Sequence, residues 1–414
     1  MSSNPSSNSL LKPVRVQAPR RVALLIESSR AYGRNLIMGV AKFVREHREW
    51  SVQSEEWMWS EDGPAWLRKW KGDGIIGRIE NRKLASLILK LGIKTVDVRG
   101  SVSGLGVPLI DTDDEKVTRL AAEHLMSLGF RHYAFCGFLG ANYSDKRCYW
   151  FQRHLAQQGL PCIVFSPHAS LSKVDTIEYE KRWLGFQEEV AQWISSLPKP
   201  IGIMACNDIC GQKLLNICRR SGVLVPEEIA VIGVDNDEVL CELSDPPLTS
   251  VVPDAFRIGY SAATLLEQLM ANQSPPAEPI LIPPTGIVAR RSTEVLALED
   301  RHLAAGLRFI RENAFRTVRV DDAARMAGMS RRVFERRFAA QFGHPPKAEV
   351  TRLRLERAKQ LLAETDWNLA EIAERVGLNY PEYLHKVFTS KIGVTPGQFR
   401  SSQKNKATLP ASGS

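Results

Sequence analysis

DDAARMAGMSRRVFERRFAAQFGHPP, residues 321–346, and AEIAERVGLNYPEYLHKVFTSKIGVTP, residues 370–396, are two copies of one motif. Val320 matches Leu369, Ala324 matches Ala373 and Gly328 matches Gly377, each 49 residues on. Past the glycine the offset is 50: Phe334 matches Leu384, Phe338 matches Phe388, Gly343 matches Gly393 and Pro346 matches Pro396. One residue is inserted in the turn while the flanking helices keep their registers, so a single small fold is used twice.

Each copy has helix-turn-helix chemistry. A small residue on the first helix (Ala324, Ala373) lets a second helix cross closely, and the glycine ends the first helix in a left-handed conformation. The second helix is expected to start at a cap, Ser330 in copy one and Asn379 or Tyr380 in copy two, with Pro381 in its first turn. Phe334 with Phe338, and Leu384 with Phe388, are four apart and share the buried face. Arg331, Arg332, Glu335 and Arg336 then face outward in copy one, and Pro381, Glu382, His385 and Lys386 in copy two. Such a helix fits the major groove, where Arg bonds a guanine edge bidentately and Glu accepts from cytosine. A solvated basic face is the plain alternative, but two copies joined by one amphipathic helix favour DNA. Arg352 and Arg354 lie on that joining helix, where any DNA contact is expected at phosphate.

From Asp300 to Arg400, including the closing GVTPGQFR, the chain resembles the DNA-binding domain of AraC-type regulators. The resemblance places base contacts on Arg332, Glu335 and Arg336, and on Pro381, Glu382, His385 and Lys386. The family often has Arg where Lys386 stands, and lysine lacks the rigid guanidinium fork.

The 414 residues allow two to three domains. Net charge is +9, and it is localised: residues 299–406 hold 21 Lys+Arg against 13 Asp+Glu, the rest 34 against 33. The basic surface thus belongs to the repeat region, and the remainder need not meet nucleic acid. The seven dispersed cysteines show no CxxC or Cys/His zinc spacing, and are read as reduced, mostly buried thiols; no metal or cofactor is expected. The Pro/Ser-rich start has no apolar segment of signal-peptide type, and no run reaches the length of a membrane span. A soluble, cytoplasmic protein without membrane contact is expected.

From Arg21 short apolar runs alternate with amphipathic helices. Strands are expected at RVALLIES, Gly74–Ile79, Thr95–Val98, His132–Gly137, Cys162–Phe165, Ile201–Cys206 and Ile229–Val234. Helices fit at Asn35–His47, Lys116–Leu128, Lys146–Gln158, Leu184–Ser195, Cys210–Arg220 and Ala255–Met270. Alternating strand and helix units imply an α/β core of one or two parallel sheets covered on both faces. Ligands of such sheets bind beyond the carboxyl ends of the strands. Those ends carry Tyr32, Asn207-Asp208 and Asp235-Asn236, with Arg147 after HYAFCGF. Carboxylates accept from sugar hydroxyls and Arg donates to sugar oxygens, though strand-end Asp and Asn also serve simply as helix caps.

Arg21 to Thr293 resembles the effector core of LacI/GalR regulators, related to type I periplasmic sugar-binding proteins, in GDGIIG, HLMSLGFRHYAF, ACNDICGQKLL, SGVLVPEEIAVIGVDN, PPLTSVVPD and TGIVARRST. That family implies two parallel-sheet lobes and a sugar site on Arg147, Asn207, Asp208 and Asp235. A LacI-like core followed by an AraC-like domain resembles the XylR-type regulators of xylose operons, also in RAYGRNLIMGV, DKR at 145–147 and VDNDE from Val234. It implies a transcription regulator, not an enzyme, controlled by a small sugar, xylose or a related pentose. Operator DNA, a homodimer and, for an activator, contact with RNA polymerase follow as expected partners. The organisation expected is a tail at 1–20, core at 21–293, linker at 294–300, tandem helix-turn-helix domain at 301–402 and tail at 403–414.

Gly72 to Gly77 fits G-x-G-x-x-G, but the strand runs through the glycines, which argues against a dinucleotide. Trp57, Trp59, Trp66 and Trp70 read as packing, with Trp57 or Tyr32 able to stack on a sugar; Asp113-Asp114-Glu115 reads as the acidic start of a helix. The alternative from another class, a sugar-active enzyme with a DNA-binding appendage, needs a nucleophile–base pair that the strand ends do not offer.

Overall fold

The structure is a computed structural model and describes residues 19–47, 49–55, 63–138, 140–166, 186–294, 300–316, 318–378 and 380–408. Most of the two expected tails, most of the expected linker, and Trp57, Trp59 and Asn379 lie outside the described residues. The chain divides between Ala297 and Leu298 into two compact units.

The first unit is α/β. Its elements are β1 (Arg20–Leu25), α1 (Ala31–His47), β2 (Trp50–Ser54), β3 (Gly74–Gly77), α2 (Arg82–Leu91), β4 (Lys94–Asp97), β5 (Ile110–Thr112) and α3 (Asp114–Ser127). There follow β6 (His132–Cys136), α4 (Asn142–Gln157), β7 (Cys162–Val164), α5 (Gln187–Ser196), β8 (Ile201–Ala205), α6 (Asp208–Arg220), β9 (Ile229–Val234) and α7 (Glu238–Leu243). The unit ends with β10 (Thr249–Val252), α8 (Ala255–Met270), β11 (Ile280–Ile282) and β12 (Gly286–Val288). One sheet has the order β2-β1-β3-β4 and a second β7-β6-β8-β9-β10-β12. All pairings in both are parallel except β10 with β12. Each lobe places its first strand second in the sheet, so the same winding is used twice. Burial on both faces explains the unbroken apolar runs: every residue of β8 and of β9 is buried.

The chain passes between the lobes three times, after β5, after β10 and after β11. The passages lie side by side, with Asp113 N donating to Ile282 O (2.9 Å) and Thr285 N to Val252 O (2.9 Å). Consequently α8, late in sequence, packs on the first lobe. It crosses α1 where a Cβ on Gly39 would fall 2.0 Å from Phe256 O, and one on Gly259 2.0 Å from Leu36 O. Only hydrogen at both positions permits that approach.

Expected and observed elements agree in kind, with shifted ends. Helix α1 begins four residues before Asn35 and α4 four before Lys146. Strands expected to run to Ile79 and Val98 stop at Gly77 and Asp97, and β2, α2, β5, α7, β10, β11 and β12 were not foreseen. All seven cysteines are free, five of them buried. No helix among the described residues is long and apolar enough to cross a membrane.

The second unit is helical: α9 (Arg301–Asn313), α10 (Val320–Met326), α11 (Arg331–Phe342), α12 (Pro346–Glu364), α13 (Leu369–Arg375), α14 (Pro381–Ile392) and α15 (Pro396–Thr408). The pairs α10–α11 and α13–α14 are the two helix-turn-helix copies, with turns of 327–330 and 376–380, one residue longer in the second. Gly328 (φ 61°) and Gly377 (φ 77°) take the left-handed conformation that the turn requires. Phe334, Phe338, Leu384 and Phe388 are all fully buried. Copy one is roofed by α9, where Gly306 leaves room for the Phe334 ring; an added Cβ would lie 2.3 Å from it.

Candidate functional site

Between the lobes lies a cleft lined by Arg30, Tyr32, Arg78, Val98, Arg99, Asp111 and Thr112 from the first lobe, and by Asp114, Tyr143, Arg147, Asn207 and Asp235 from the second. Arg147 is its centre. Its Nε donates to Asp114 Oδ1 at 2.8 Å, its Nη1 to Cys206 O at 2.6 Å, and Nη1 lies 3.9 Å from Asp235 Oδ1. Burial works against the charge, but Asp114 and Asp235 outweigh it and hold the guanidinium above its ordinary range. Tyr143, one turn before Arg147 on α4, lies between two guanidiniums, Arg99 at 4.7 Å and Arg147 at 5.2 Å from its centroid. Its hydroxyl accepts from Asn207 Nδ2 at 3.1 Å.

On the opposite wall the Tyr32 hydroxyl bonds Thr112 Oγ1 at 2.9 Å, and the Arg78 guanidinium lies over the Tyr32 ring at 5.3 Å. Burial and the neighbouring Asp111 push the Tyr32 phenol up. Burial likewise raises Asp97, at the end of β4, to about 7, against backbone bonds from Ile79, Gly100 and Arg99. Asp111 is raised by burial and by Asp114. Asp235 and Asn236, just past β9, have φ of 108° and 47°. Two successive side-chain-bearing residues in that region store strain, a feature concentrated at sites where geometry serves function.

Of the six residues expected at a ligand site, the structure brings Tyr32, Arg147, Asn207 and Asp235 together in the cleft and leaves Asp208 and Asn236 outside its lining. Asp208 is turned into the fold, where its carboxylate accepts from Ser250 Oγ (2.6 Å) and Asp237 N (2.8 Å); burial raises it to about 8. Asn236 Oδ1 accepts from Arg290 Nη1 at 2.9 Å. Asn207 lines the cleft and also caps α6, its Oδ1 accepting from Cys210 N, so the capping role does not take it out of the cleft wall. Asp113 caps α3, as expected of the acidic start, whereas Asp114 beside it faces Arg147. Sequence reasoning missed Arg78, Arg99 and Asp111. Each stands one or two residues past a strand, or within the short β5, so the strand-end rule finds them once the ends are placed correctly.

In the second unit Arg331, Arg332, Arg336, Glu382, His385 and Lys386 are exposed on α11 and α14, with Glu335 and Pro381 partly so. Arg331 pairs with Asp321 (3.0 Å) and Glu335 (3.0 Å). Arg332 and Arg336 make no ion pair among the described residues. Ser330 stands at the N-cap of α11 in extended conformation, but its side chain makes no cap bond. Tyr380 is the N-cap of α14 and Pro381 its first residue. On the joining helix, Arg354 Nε and Nη2 donate to the carbonyls of Ala314 (2.7 Å) and Arg316 (2.8 Å), so it closes the end of α9. Arg352 is paired with Glu349 at 2.9 Å.

Comparison with known proteins agrees with this division. Residues 21–108 match the XylR N-terminal domain, 122–293 the periplasmic binding protein-like domain and 323–402 the helix-turn-helix domain. The xylose operon regulatory protein of Escherichia coli K12 is 29% identical over 391 residues, 92% of this chain and 96% of that one. Its counterpart from Haemophilus influenzae is 29% identical over 389 residues, 92% and 98% of the two chains. A solved structure described as the xylose-binding transcription activator XylR superposes with a TM-score of 0.79 at 28% identity, covering 93% of this chain and 98% of that one. A LacI family regulator from Enterococcus faecium with bound ribose shares the fold of the core, TM-score 0.53 at 20% identity over 68% of this chain and all of that one. The chain is a homologue of the xylose operon regulatory proteins, carrying an XylR N-terminal domain, a periplasmic-binding-protein-like domain and an AraC-type helix-turn-helix domain in one polypeptide.

Proposed function

We propose that this chain is a sequence-specific DNA-binding transcription regulator controlled by a small sugar, xylose or a related pentose, bound between the lobes of residues 21–293. The observation that carries this reading is the wall of alternating donors and carboxylates that both lobes present to one cleft, in a chain that also holds two helix-turn-helix copies. Asp235 and Asp111 accept from sugar hydroxyls; Arg147, Asn207 and Tyr32 hold ring and hydroxyl oxygens. Asp208 and Asn236 serve the same site from behind, by fixing the turn that carries Asp235. Residues 301–402 form the DNA-binding domain, with base readout by Arg332, Glu335 and Arg336 and a second, weaker set of contacts by Pro381, Glu382, His385 and Lys386. Ser330 and Arg331 meet the backbone at the entrance of α11.

The regulator works in the cytoplasm as a homodimer, and contacts RNA polymerase if it activates. Sugar favours one arrangement of the lobes over another, and that differential affinity is the whole of its leverage on DNA binding. The test is calorimetric titration with pentoses and hexoses, beside operator binding with and without the sugar that binds. An unchanged sugar with shifted DNA affinity supports the regulator. A consumed sugar supports an enzyme instead, and no sugar binding at all removes the reading of the cleft.

A further inference from the structure

The turn after β9 presents side chains in two directions. Asp235, its first residue, enters the cleft beside Arg147. Asp237, its third, reaches the other lobe: its Oδ2 accepts from the backbone N of Ala31 at 3.2 Å and lies 3.9 Å from Arg34 Nη2. Ala31 is the first residue of α1, whose leading N–H groups have no partner within the helix and carry its positive end. Asp237 also caps α7 through Leu240 N, and its own N–H is held by the buried Asp208 carboxylate. The anchor on the second lobe is therefore rigid, while the bond to α1 crosses from lobe to lobe. A single residue, Gly33, separates Tyr32, which lines the cleft, from Arg34, which faces Asp237.

We propose that Asp237 is the interlobe latch of the effector response, a positioning residue that holds α1 to the turn carrying Asp235 and so couples occupancy of the cleft to lobe closure. This rests on the sugar reading of the cleft, but the closure it describes can be measured without sugar. Two further hydrogen-bonded bridges across the cleft among the described residues, Lys146 to Asp111 at 3.5 Å and Asn142 Nδ2 to Gly100 O, join α4 to β5 and to the segment between β4 and β5. Neither ties the strained turn to the first lobe. Asp237 does, and a ligand that settles Asp235 settles Asp237 with it.

The experiment uses the full-length chain, wild type, Asp237→Asn and Arg34→Gln. Asp237→Asn keeps a carbonyl oxygen for the α7 cap and removes the charge; Arg34→Gln, on a half-exposed side chain, weakens the latch from the other side should the first variant fold poorly. Small-angle scattering reads lobe opening, and calorimetry reads D-xylose affinity at low and high salt. A lobe-closing latch predicts a larger mean radius of gyration in both variants. It also predicts a D-xylose Kd raised about 5- to 10-fold, because apparent affinity scales with the closed fraction. Since the sugar is neutral, salt should weaken binding more in wild type than in Asp237→Asn. Unchanged radius and unchanged Kd in both variants overturn the latch. If wild type does not bind D-xylose, the sugar reading fails as posed, and the scattering comparison alone decides whether Asp237 holds the lobes.

Discussion

Arg147 and Asp114 form an ion pair of 2.8 Å whose side chains are only 4% and 6% exposed. The bond joins the helix that follows β6 to the first residue after the first passage between lobes. Removing Asp114 leaves a buried guanidinium short of its main partner, and such a loss destabilises by about 3–5 kcal/mol. Asp114→Ala should lower the unfolding free energy of the first unit by that order, read by urea denaturation. Asp235→Ala, at a partly exposed carboxylate, should instead abolish the sugar response with little loss of stability and with sugar-free DNA binding retained. Full sugar affinity in Asp235→Ala would make that residue a packing group.

On the DNA face the paired and unpaired arginines should part company. Arg332→Ala and Arg336→Ala are expected to lose discrimination between operator and scrambled duplexes, at roughly 1–3 kcal/mol for one bidentate base contact. Lys386→Ala should weaken both duplexes alike and flatten the salt dependence, because an ammonium makes a point contact without the two-point fork. Equal loss on both duplexes for Arg332→Ala would take α11 out of base readout.

Arg354 offers a contrast within the same unit. Its two bonds to the carbonyls of Ala314 and Arg316 make it part of the scaffold. Arg354→Ala should cost about 1–3 kcal/mol of stability, the penalty for leaving partly buried acceptors unmet. The slope of DNA affinity against salt should stay that of the wild type. A reduced slope with unchanged melting would show that the side chain leaves these carbonyls for phosphate.

Buried carboxyls set the pH response of the first unit. Asp97 at about 7 and Asp208 at about 8 stand above their ordinary 3.8, burial being the main cause in both. A raised folded value means that the folded state binds protons more tightly than the unfolded chain. The stability they contribute is full below about pH 4 and is lost as pH rises toward 7 for Asp97 and 8 for Asp208, by at most ~1.4 kcal/mol per pH unit per group. Urea midpoints of the first unit should therefore fall between pH 5 and pH 8. A flat profile would mean that both carboxyls are ionised in the fold.

Periodicity carried the fold further than it carried the site. The tandem motif was legible to the residue, since the one-residue insertion between Gly377 and Leu384 reappears as the longer second turn. The α/β alternation was equally plain, because doubly buried strands such as IGIMA have no polar interruption. Short edge elements escaped: β5, β11 and β12 have three residues each, too few to show a period. Their loss hid Asp111, and strands drawn two residues long buried Arg78 inside an element rather than beyond its end. Asp208 misled for another reason. A carboxylate after a strand can point outward to a ligand or inward to Ser250 and Asp237, and spacing alone does not distinguish them.

The crossing of α1 and α8 through Gly39 and Gly259 has a consequence for synthesis. A ribosome makes β1 to β5 about 140 residues before it makes α8, so the first lobe waits without the helix that covers β3 and β4 while five of the six strands of the second sheet are made. The first lobe, begun first, is thus finished only when residue 270 has emerged, after residues 113–252 have supplied all of the second sheet but its edge strand β12. Nascent chains arrested after residue 252 should leave the first 112 residues open to protease, with the segment after them already resistant.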